Sequence, residues 1–489
     1  MTTSTHHLFW QLSAIVLYFI FLISVAVLSY RKKQTDTDFI IGNRSMNIWL
    51  TALAAHASDM SSWLFLGYPA VVFTIGLKQA WTGIGLIIFM FLNWQLVAPR
   101  IRTATEEYNS LTLSSYFENR FADTSGLIRV FTAIMLFVFY TIYISSILVA
   151  TGLTLNTLFG INFHIGVIVG ILIVVPYVFT GGYLTLAWID LFQGLFLMCV
   201  VVFVPLYLLP KVGGWPAIFD TMQMKNLSSS LLPDFSISTL TQTFFLAVAM
   251  GPGYFGQPHI ITKFMGIKNV SQINKSKWIG MTWMTLAMGA ATMVGLVGIA
   301  FFKSGHTFPD TEVFIQMVHQ SFSPFLVGLI LCAVFAATIN AMSSMILVLS
   351  SSLTEDLYKR LFRQSASPKE LLLVTRFSVI LVSLIAFGIA IGDISTIYSL
   401  VLYAWSGLGA SFGPLLLLSL YSKLINKYGA WAGILSGGGV ASIWPLIKDY
   451  FPQDMPSLLP AFVVSFILII VVSYFTKDKK VLSSYSDTF

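Results

Sequence analysis

The sequence predicts an all-α integral membrane protein of about thirteen transmembrane helices, forming a single transmembrane domain over residues 1–489. First, 56% of its 489 residues are apolar and only 10% are charged, whereas a soluble domain carries about 25% charged residues. Second, apolar runs long enough to cross a hydrocarbon core of about 30 Å recur from end to end. Third, polar residues interrupt one of these runs near its middle, and glycine and proline interrupt another.

Hydropathy gives the position of each predicted span. The spans are expected at 8–30, 46–74, 79–99, 126–156, 163–183, 187–210, 236–264, 278–302, 322–352, 370–391, 395–421, 428–447 and 457–476. If spans alternate, the connections on one side carry about 22 lysines and arginines and those on the other about five, which indicates that the first side is cytoplasmic. We therefore expect an outside N-terminus, a cytoplasmic C-terminus and a lipid bilayer as the surroundings. The net charge of +7 reflects this topology, so no nucleic-acid partner is predicted.

The second span, 46–74, carries a carboxylate and three hydroxyls at its centre. Ser58, Asp59, Ser61 and Ser62 lie within five positions, flanked by apolar residues. A carboxylate at this depth costs a few kcal/mol and is rarely left unpaired. The pattern favours a helix that is interrupted at mid-membrane and faces a wet cavity, as in transporters. The alternative is a buried aspartate in a structural hydrogen-bond network.

The seventh span, 236–264, is interrupted by backbone chemistry instead. Its segment 250–259 reads Met-Gly-Pro-Gly-Tyr-Phe-Gly-Gln-Pro-His, with three glycines and two prolines. Such a segment does not form a regular helix, and in lipid its backbone is tolerated only beside protein or water. The alternative is a simple proline kink.

Two interrupted spans in matching positions predict an inverted repeat of five spans each. The expected first repeat covers 46–210 and the second 236–421; an accessory helix at 8–30 precedes them, and two accessory helices at 428–476 and a cytoplasmic tail at 477–489 follow. Broken helices in both halves indicate a binding site at the bilayer midplane and transport by alternating access. A channel filter, a His-Glu-x-x-His motif and a cysteine cluster are absent from the sequence, which argues against a channel or an enzyme.

Four segments of the chain carry a family resemblance. They are Phe-Ile-Ile-Gly-Asn-Arg-Ser at 39–45, Ala-Ser-Asp-Met-Ser at 57–61, Gly-Tyr-Phe-Gly-Gln-Pro-His at 253–259 and Thr-Glu-Asp-Leu-Tyr at 354–358. Together they resemble the sodium/solute symporter family, and within it the branch of bacterial sodium/proline symporters. The resemblance runs almost without gaps from about residue 12 to about 475. It implies thirteen spans and an inverted repeat of the leucine-transporter type, in the bacterial cytoplasmic membrane.

The resemblance also implies a sodium site between the second and ninth spans. Its ligands would be the backbone carbonyl oxygens of Ala57, Met60 and Ala337, since a hard cation prefers oxygen ligands. The family adds two adjacent hydroxyl side chains, where this chain has Asn340 and Ala341. Asn340 can offer an amide oxygen, but Ala341 offers nothing. A proton taken up by Asp59 is therefore an alternative to Na⁺ as the coupling ion.

The remaining site residues follow from the same resemblance. Asp59 and Asp190 are expected on the ion path, although Asp190 alone could be a charge that complements a helix N-terminus. The predicted substrate residues are Ser61, Tyr143, Met250, Tyr254, Phe255 and Pro258. Helix N-termini would bind the carboxylate of a zwitterion and aromatic faces its ring. Met250 stands where the proline branch has tryptophan, which predicts a larger and softer pocket.

The resulting hypothesis is a secondary active symporter that couples inward Na⁺ movement to uptake of a small amino acid, with L-proline as the expected substrate. The alternatives are a proton-coupled or differently specific symporter of the same family, and a nutrient sensor that has lost transport. We expect no enzymatic activity, no organic cofactor and a monomer.

Overall fold

Nineteen α-helices dominate the computed structural model, which describes residues 2–29, 36–392, 397–451 and 455–476. In chain order they are α1 Thr2–Ser29, α2 Asp36–Ile41, α3 Ile48–Asp59, α4 Gly67–Ile75, α5 Ala80–Leu92, α6 Ala98–Glu107, α7 Leu113–Arg120, α8 Leu127–Phe159, α9 Phe163–Leu208, α10 Gly214–Met224, α11 Ile237–Val248, α12 Pro258–Met265, α13 Ile273–Phe301, α14 Val313–Ser321, α15 Pro324–Ser352, α16 Pro368–Ala390, α17 Ile397–Tyr421, α18 Lys427–Ile447 and α19 Leu458–Phe475.

Tighter and wider helical turns join these helices. The 3₁₀ turns are Gly42–Arg44, Ser62–Leu64, Leu77–Gln79, Gly251–Gly256, Val270–Gln272, Asp310–Glu312 and Lys448–Tyr450, and the π-helical segments are Asn93–Val97 and Leu353–Phe362. Within the described residues there is no β-strand, only two isolated bridges, Met46 with Ile267 and Gly76 with Ser228.

Ten helices of the described chain have the length and apolar composition needed to cross a membrane. Three predicted spans are missing from this count for structural reasons. Spans 46–74 and 236–264 are each divided by a break, and span 163–183 is joined to the next span within α9, with a shorter apolar helix at Phe163–Val175. At the junction of these last two predicted spans, Gly182 is non-helical, with φ 65° and ψ 171°, and its kink separates two helices within α9. Thirteen is therefore an approximate count. The predicted tail 477–489 lies outside the described residues.

The predicted break in the second span is confirmed. Helix α3 begins where the Asn47 side chain accepts hydrogen bonds from two backbone amides, and it ends at Asp59. Met60, with ψ 83°, and Ser61, with an extended backbone, then leave the helical conformation. The Ser61 hydroxyl accepts a hydrogen bond from the Trp63 amide and so caps the next turn. Helix α4 completes the span to Ile75.

The predicted break in the seventh span is also confirmed. After α11, the chain forms the 3₁₀ turn Gly251–Gly256 and becomes extended at Gln257, with φ −92° and ψ 101°. Helix α12 then starts at Pro258, where the missing N–H of proline costs no helical hydrogen bond. The glycines and prolines therefore separate two half-helices rather than bending one.

Burial separates the central helices from the peripheral ones. Within the most apolar part of each helix, 83% of residues are buried in α15 and 78% in α17, but only 22% in α1 and 28% in α19. Helix α3 packs against α9, α13 and α15, whereas the turn Gly251–Gly256 packs against α17 and α5. Each break is therefore enclosed by other helices, and the exposed apolar faces of the outer helices are left to lipid.

One end of the second span is tied to one end of the seventh. The Met46 amide donates to the Gly266 carbonyl at 3.1 Å, and the Lys268 amide donates to the Met46 carbonyl at 2.9 Å. Nearby, the Arg44 guanidinium donates to Thr105 and to the Ser110 carbonyl. These contacts fix the two broken spans relative to each other on one side of the site.

Candidate functional site

A hydrogen bond joins the two breaks. The Tyr254 hydroxyl, from the 3₁₀ turn of the seventh span, donates to Asp59 Oδ2 at 2.6 Å. Asp59 is 6% exposed and Tyr254 is 1% exposed, so both are enclosed by protein rather than by acyl chains. A bond this short is typical of a charge-assisted contact to a carboxylate. The structure thus brings together the predicted ion-path residue and a predicted substrate residue.

The second break releases the two carbonyls that were predicted as cation ligands in this span. In a regular helix the Ser61 amide would donate to the Ala57 carbonyl, but here it donates to Asp59 and the Met60 amide donates to His56. The next two amides that could reach the Met60 carbonyl, those of Trp63 and Leu64, both donate to Ser61 instead. The Ala57 and Met60 carbonyls are therefore free of these helical hydrogen bonds and are suited to a cation.

Helix α15 places polar atoms beside this break. It packs against α3 and against the turn Ser62–Leu64, and both Ala337 and Asn340 on it are buried. The Oδ1 and Nδ2 atoms of Asn340 and the hydroxyls of Ser62 and Ser344 are buried without a hydrogen-bond partner in the described protein. Leaving a buried polar group unpaired costs about 1–3 kcal/mol. These atoms fit a polar ligand, and the Asn340 amide oxygen fits the predicted role of a cation ligand.

Two other hydroxyls of α15 have helical partners. Thr338 donates to the Val334 carbonyl at 2.8 Å, and Ser343 donates to the Asn340 carbonyl at 3.1 Å. These bonds use the hydroxyl protons and leave the lone pairs of both oxygens available. Among the described residues, no group of three or more His, Cys, Asp or Glu side chains could hold a metal ion.

Asp190 forms a buried ion pair that the sequence did not predict. Its Oδ2 lies 2.9 Å from Lys263 Nζ, and the two side chains are 1% and 3% exposed. Lys263 is on α12, so the pair connects α9 to the second half of the seventh span. Asp190 also lies one helical turn from Gly194, which packs against Ala57. This part of α9 therefore packs beside one predicted cation ligand, and the Asp190 carboxylate already has a cationic partner.

The predicted substrate residues fall into two groups. Tyr143 on α8 is buried near the Ser61 side chain, Asp59 and Tyr254, so Tyr143 and Ser61 join the cluster around Tyr254. Phe255 instead packs its ring against Phe89, with centroids 6.0 Å apart. Pro258 lines a narrow cavity of about 20 Å³ together with residues of the segment 111–114 and of α15. This volume is about what one water molecule needs.

Trp405 on α17 is a site residue that sequence reasoning missed. Its indole N–H donates to the Met250 carbonyl at 2.7 Å, and its ring stands edge-on to Tyr254 with centroids 5.2 Å apart. The sequence feature that could have indicated its role is its position next to three small residues, Ala404, Ser406 and Gly407. Such spacing indicates close helix packing but does not identify the partner.

The histidines beside the two breaks make packing contacts. His56 Nε2 accepts from the Trp94 indole at 3.2 Å, and its ring packs near the rings of Trp94 and Trp283, with centroids 6.2 and 5.9 Å away. His259 Nδ1 is 3.1 Å from the Tyr140 hydroxyl. Both rings are fully buried, and they fix neighbouring helices around the site.

The Thr-Glu-Asp-Leu-Tyr motif lies away from this cluster, in the π-helical extension of α15. Asp356 Oδ2 accepts from Ser352 at 2.7 Å and Asp356 Oδ1 from Thr112 at 3.1 Å. Glu118, on α7, is paired with Arg129 at 2.5 Å and with Arg360 at 3.1 Å. The motif therefore attaches α7 to the end of α15.

Comparison with known families identifies the chain. The profile of the sodium:solute symporter family matches residues 39–437, which include both breaks, α15 and all of α17. The chain belongs to the sodium:solute symporter family. It is a multi-pass membrane transporter, as the sequence predicted, and not an enzyme.

Curated members of this family are similar over nearly their whole length. The high-affinity proline transporter PutP of Bacillus subtilis is 39% identical over 459 residues, which cover 93% of this chain and 95% of that protein. A sodium/proline symporter of Staphylococcus aureus is 37% identical over 483 residues, covering 96% of this chain and 93% of the relative.

Solved structures confirm the fold class. A Na⁺-coupled sialic acid symporter in a substrate-bound, outward-open state superposes with a TM-score of 0.80 at 19% identity, covering 96% of this chain and 98% of the other. MhsT in complex with L-phenylalanine gives a TM-score of 0.54 at 13% identity, covering 88% and 98%. At these identities the likeness concerns the fold alone, and it confirms the predicted leucine-transporter-type architecture.

Proposed function

We propose that this symporter couples the inward movement of Na⁺ to the uptake of L-proline by alternating access. The observation that carries the proposal is the hydrogen bond between Tyr254 and Asp59, which links the two broken helices at a buried point. The names of relatives at 37–39% identity, a proline transporter and a sodium/proline symporter, support proline and Na⁺ as the transported pair.

The proposed cation site lies between α3 and α15. The carbonyls of Ala57, Met60 and Ala337 and the amide oxygen of Asn340 would bind Na⁺, since a hard cation prefers oxygen ligands. Asp59 would attract the cation into the site, and Asp190 would lie on its path inward. Support comes from the two carbonyls released at the break and from the unpaired amide of Asn340.

The proposed substrate site lies between the two breaks. Ser61 and Tyr143 would donate hydrogen bonds to the carboxylate of proline, and Tyr254 would contribute an aromatic face to its ring. Met250, at the start of the same turn, would complete the wall, whereas Phe255 and Pro258 would act from outside this cluster, through their contacts with Phe89 and with α15. A cation that stabilises the conformation of residues 57–61 would also fix Asp59 and, through it, Tyr254. Na⁺ would in this way raise the affinity for proline, and proline must raise the affinity for Na⁺ by the same factor.

The organisation around this site is part of the proposal. The first repeat would be 46–210 and the second 236–421, with 8–30 and 428–476 as accessory helices and 477–489 as a cytoplasmic tail. The protein would act as a monomer in the bacterial cytoplasmic membrane, with its N-terminus outside. The peripheral position of α1 and α19 is consistent with their accessory role.

Uptake of radiolabelled proline into proteoliposomes tests the proposal. Gradients of Na⁺, K⁺ and H⁺ are imposed one at a time, and other amino acids are added as competitors. We expect accumulation only with an inward Na⁺ gradient, and inhibition by proline and its close analogues. Equal uptake when K⁺ replaces Na⁺ at constant pH would contradict sodium coupling. The substrate assignment would be wrong if unlabelled proline failed to compete.

A proton-coupled symporter is the second candidate. It is favoured by one observation, the presence of Asn340 and Ala341 where the family resemblance implies two hydroxyl ligands. The H⁺ arm of the same experiment distinguishes the two candidates, because accumulation driven by a pH gradient without Na⁺ would replace sodium coupling by proton coupling.

A further inference from the structure

Trp405 contacts the turn Gly251–Gly256 of the seventh span at three places: the residue before it, a residue within it and the residue after it. Before the turn, the indole N–H donates to the Met250 carbonyl at 2.7 Å. In the middle, the indole ring stands at 89° to the Tyr254 ring, with centroids 5.2 Å apart. After the turn, the Gln257 side chain donates to the Trp405 carbonyl at 3.1 Å. One buried side chain of α17 and its backbone thus hold three points of the turn.

The contact between α17 and this turn leaves no room for side chains at two glycines. A Cβ at Gly253 would lie 2.1 Å from Nε1 of Trp405, and a Cβ at Gly256 would lie 2.7 Å from the Gly409 carbonyl oxygen. Contacts this close allow little sliding between the two backbones. A displacement of the Trp405 side chain would therefore displace the backbone of the turn as well.

The backbone of this 3₁₀ turn determines where the Tyr254 hydroxyl lies. The Tyr254 carbonyl accepts from Asn93 Nδ2 at 3.1 Å, and the Met250 carbonyl accepts from the Gly253 amide at 3.0 Å as well as from Trp405. With its backbone fixed on both sides, Tyr254 reaches Asp59 at 2.6 Å. Binding sites lose affinity when their groups are displaced by as little as about 1 Å.

We propose that Trp405 is a positioning residue for substrate binding: by holding the Met250 carbonyl, it fixes the Tyr254 hydroxyl at Asp59 and thereby sets the affinity for the amino acid. This inference rests on the proposed function, because it assumes that the amino acid binds beside Tyr254. It concerns affinity rather than turnover, since Trp405 acts through Tyr254.

The substitution Trp405→Phe tests the inference because it removes the N–H donor and keeps an aromatic ring. The Met250 carbonyl then loses its indole donor and keeps the Gly253 amide. We expect the KM of Na⁺-driven proline uptake to rise about tenfold, with the maximal rate per inserted molecule within about twofold of the wild type. Hydrogen–deuterium exchange of residues 250–257, measured without substrate, should become faster.

A matched control comes from Trp444 on α18. Its indole N–H donates to the Met455 carbonyl at 3.0 Å, and it is 5% exposed, so Trp444→Phe removes a similar buried bond far along the chain from the site. We expect Trp444→Phe to leave KM and exchange at 250–257 unchanged. If Trp405→Phe does not fold, Gln257→Leu breaks the contact at the other end of the turn and should raise KM in the same direction.

The outcomes separate this inference from the proposed function. Without Na⁺-dependent proline uptake by the wild-type protein, the proposed function would fail, and the exchange experiment would still decide the role of Trp405. An unchanged KM in Trp405→Phe beside normal wild-type uptake would overturn the inference alone. It would equally be overturned if only the melting temperature and the maximal rate fell, because that result describes a general structural role.

Discussion

The two broken helices differ in how their backbone carbonyls are used. At the second-span break, the amides that could satisfy the Ala57 and Met60 carbonyls donate elsewhere. At the seventh-span break, the carbonyls of Met250 and Tyr254 accept hydrogen bonds from Trp405 and Asn93. The comparison indicates that the two breaks have different roles. The second-span break offers carbonyl oxygens to a cation, whereas the backbone of the seventh-span break is fixed by hydrogen bonds and keeps Tyr254 in position.

The largest effect is expected from a substitution that adds a side chain between the turn Gly251–Gly256 and Trp405. In Gly253→Ala, the new methyl group would lie 2.1 Å from Trp405 Nε1, and overpacking should reduce proline uptake about 100-fold. Gly289→Ala on α13 is the control, because a Cβ there meets no atom within 4 Å. Normal uptake by Gly253→Ala would show that the turn is not held as rigidly as these contacts indicate.

The second-largest effect is expected at the hydrogen bond that joins the two breaks. Asp59→Asn removes the buried charge that Tyr254 contacts, and we expect uptake at limiting Na⁺ to fall about 30-fold. Initial rates are measured over a range of Na⁺ concentrations. Asp220→Asn on the exposed side of α10 removes a charge at the surface and should behave as wild type. Unaltered Na⁺ dependence in Asp59→Asn would remove this carboxylate from the ion path.

A smaller effect is expected at the cation site itself. Asn340→Ala removes the unpaired amide oxygen, so the Na⁺ concentration for half-maximal uptake should rise about tenfold while proline uptake at saturating Na⁺ persists. Ser350→Ala, on the same helix, removes a hydroxyl that donates to the Leu347 carbonyl and should leave Na⁺ activation unchanged. The same shift in both variants would point to a general disturbance of α15 rather than to a ligand.

The smallest effect is expected from adding a ligand. Ala341→Thr supplies a hydroxyl next to Asn340 and should lower the Na⁺ concentration for half-maximal uptake about threefold. Ala341→Val, which has nearly the same shape but no hydroxyl, is the control for packing. If threonine and valine act alike, the cation lies elsewhere.

The positions of the two breaks could be predicted because their causes are local. Hydroxyls and a carboxylate within five positions compete with helical hydrogen bonds, and three glycines with two prolines prevent a regular helix. The orientation of Tyr254 toward Asp59 could not be predicted from spacing, since the two residues are 195 positions apart. Their joint assignment to the site came from the family resemblance.

The partners that complete the site were missed because they are distant in sequence. Trp405 and Met250 are 155 positions apart, and Lys263 and Asp190 are 73 apart. Neither contact leaves a periodic pattern. The junction between the predicted spans 163–183 and 187–210 has a local cause, because Gly182, with a positive φ, is non-helical and separates two helices within Phe163–Leu208.

The most direct test of the account is an equilibrium titration of the purified protein with proline at a series of Na⁺ concentrations, and with Na⁺ at a series of proline concentrations. Because the two breaks meet at Asp59 and Tyr254, Na⁺ should lower the Kd for proline, and proline should lower the Kd for Na⁺ by the same factor. A Kd for proline that is the same in Na⁺ and in K⁺ would contradict the account.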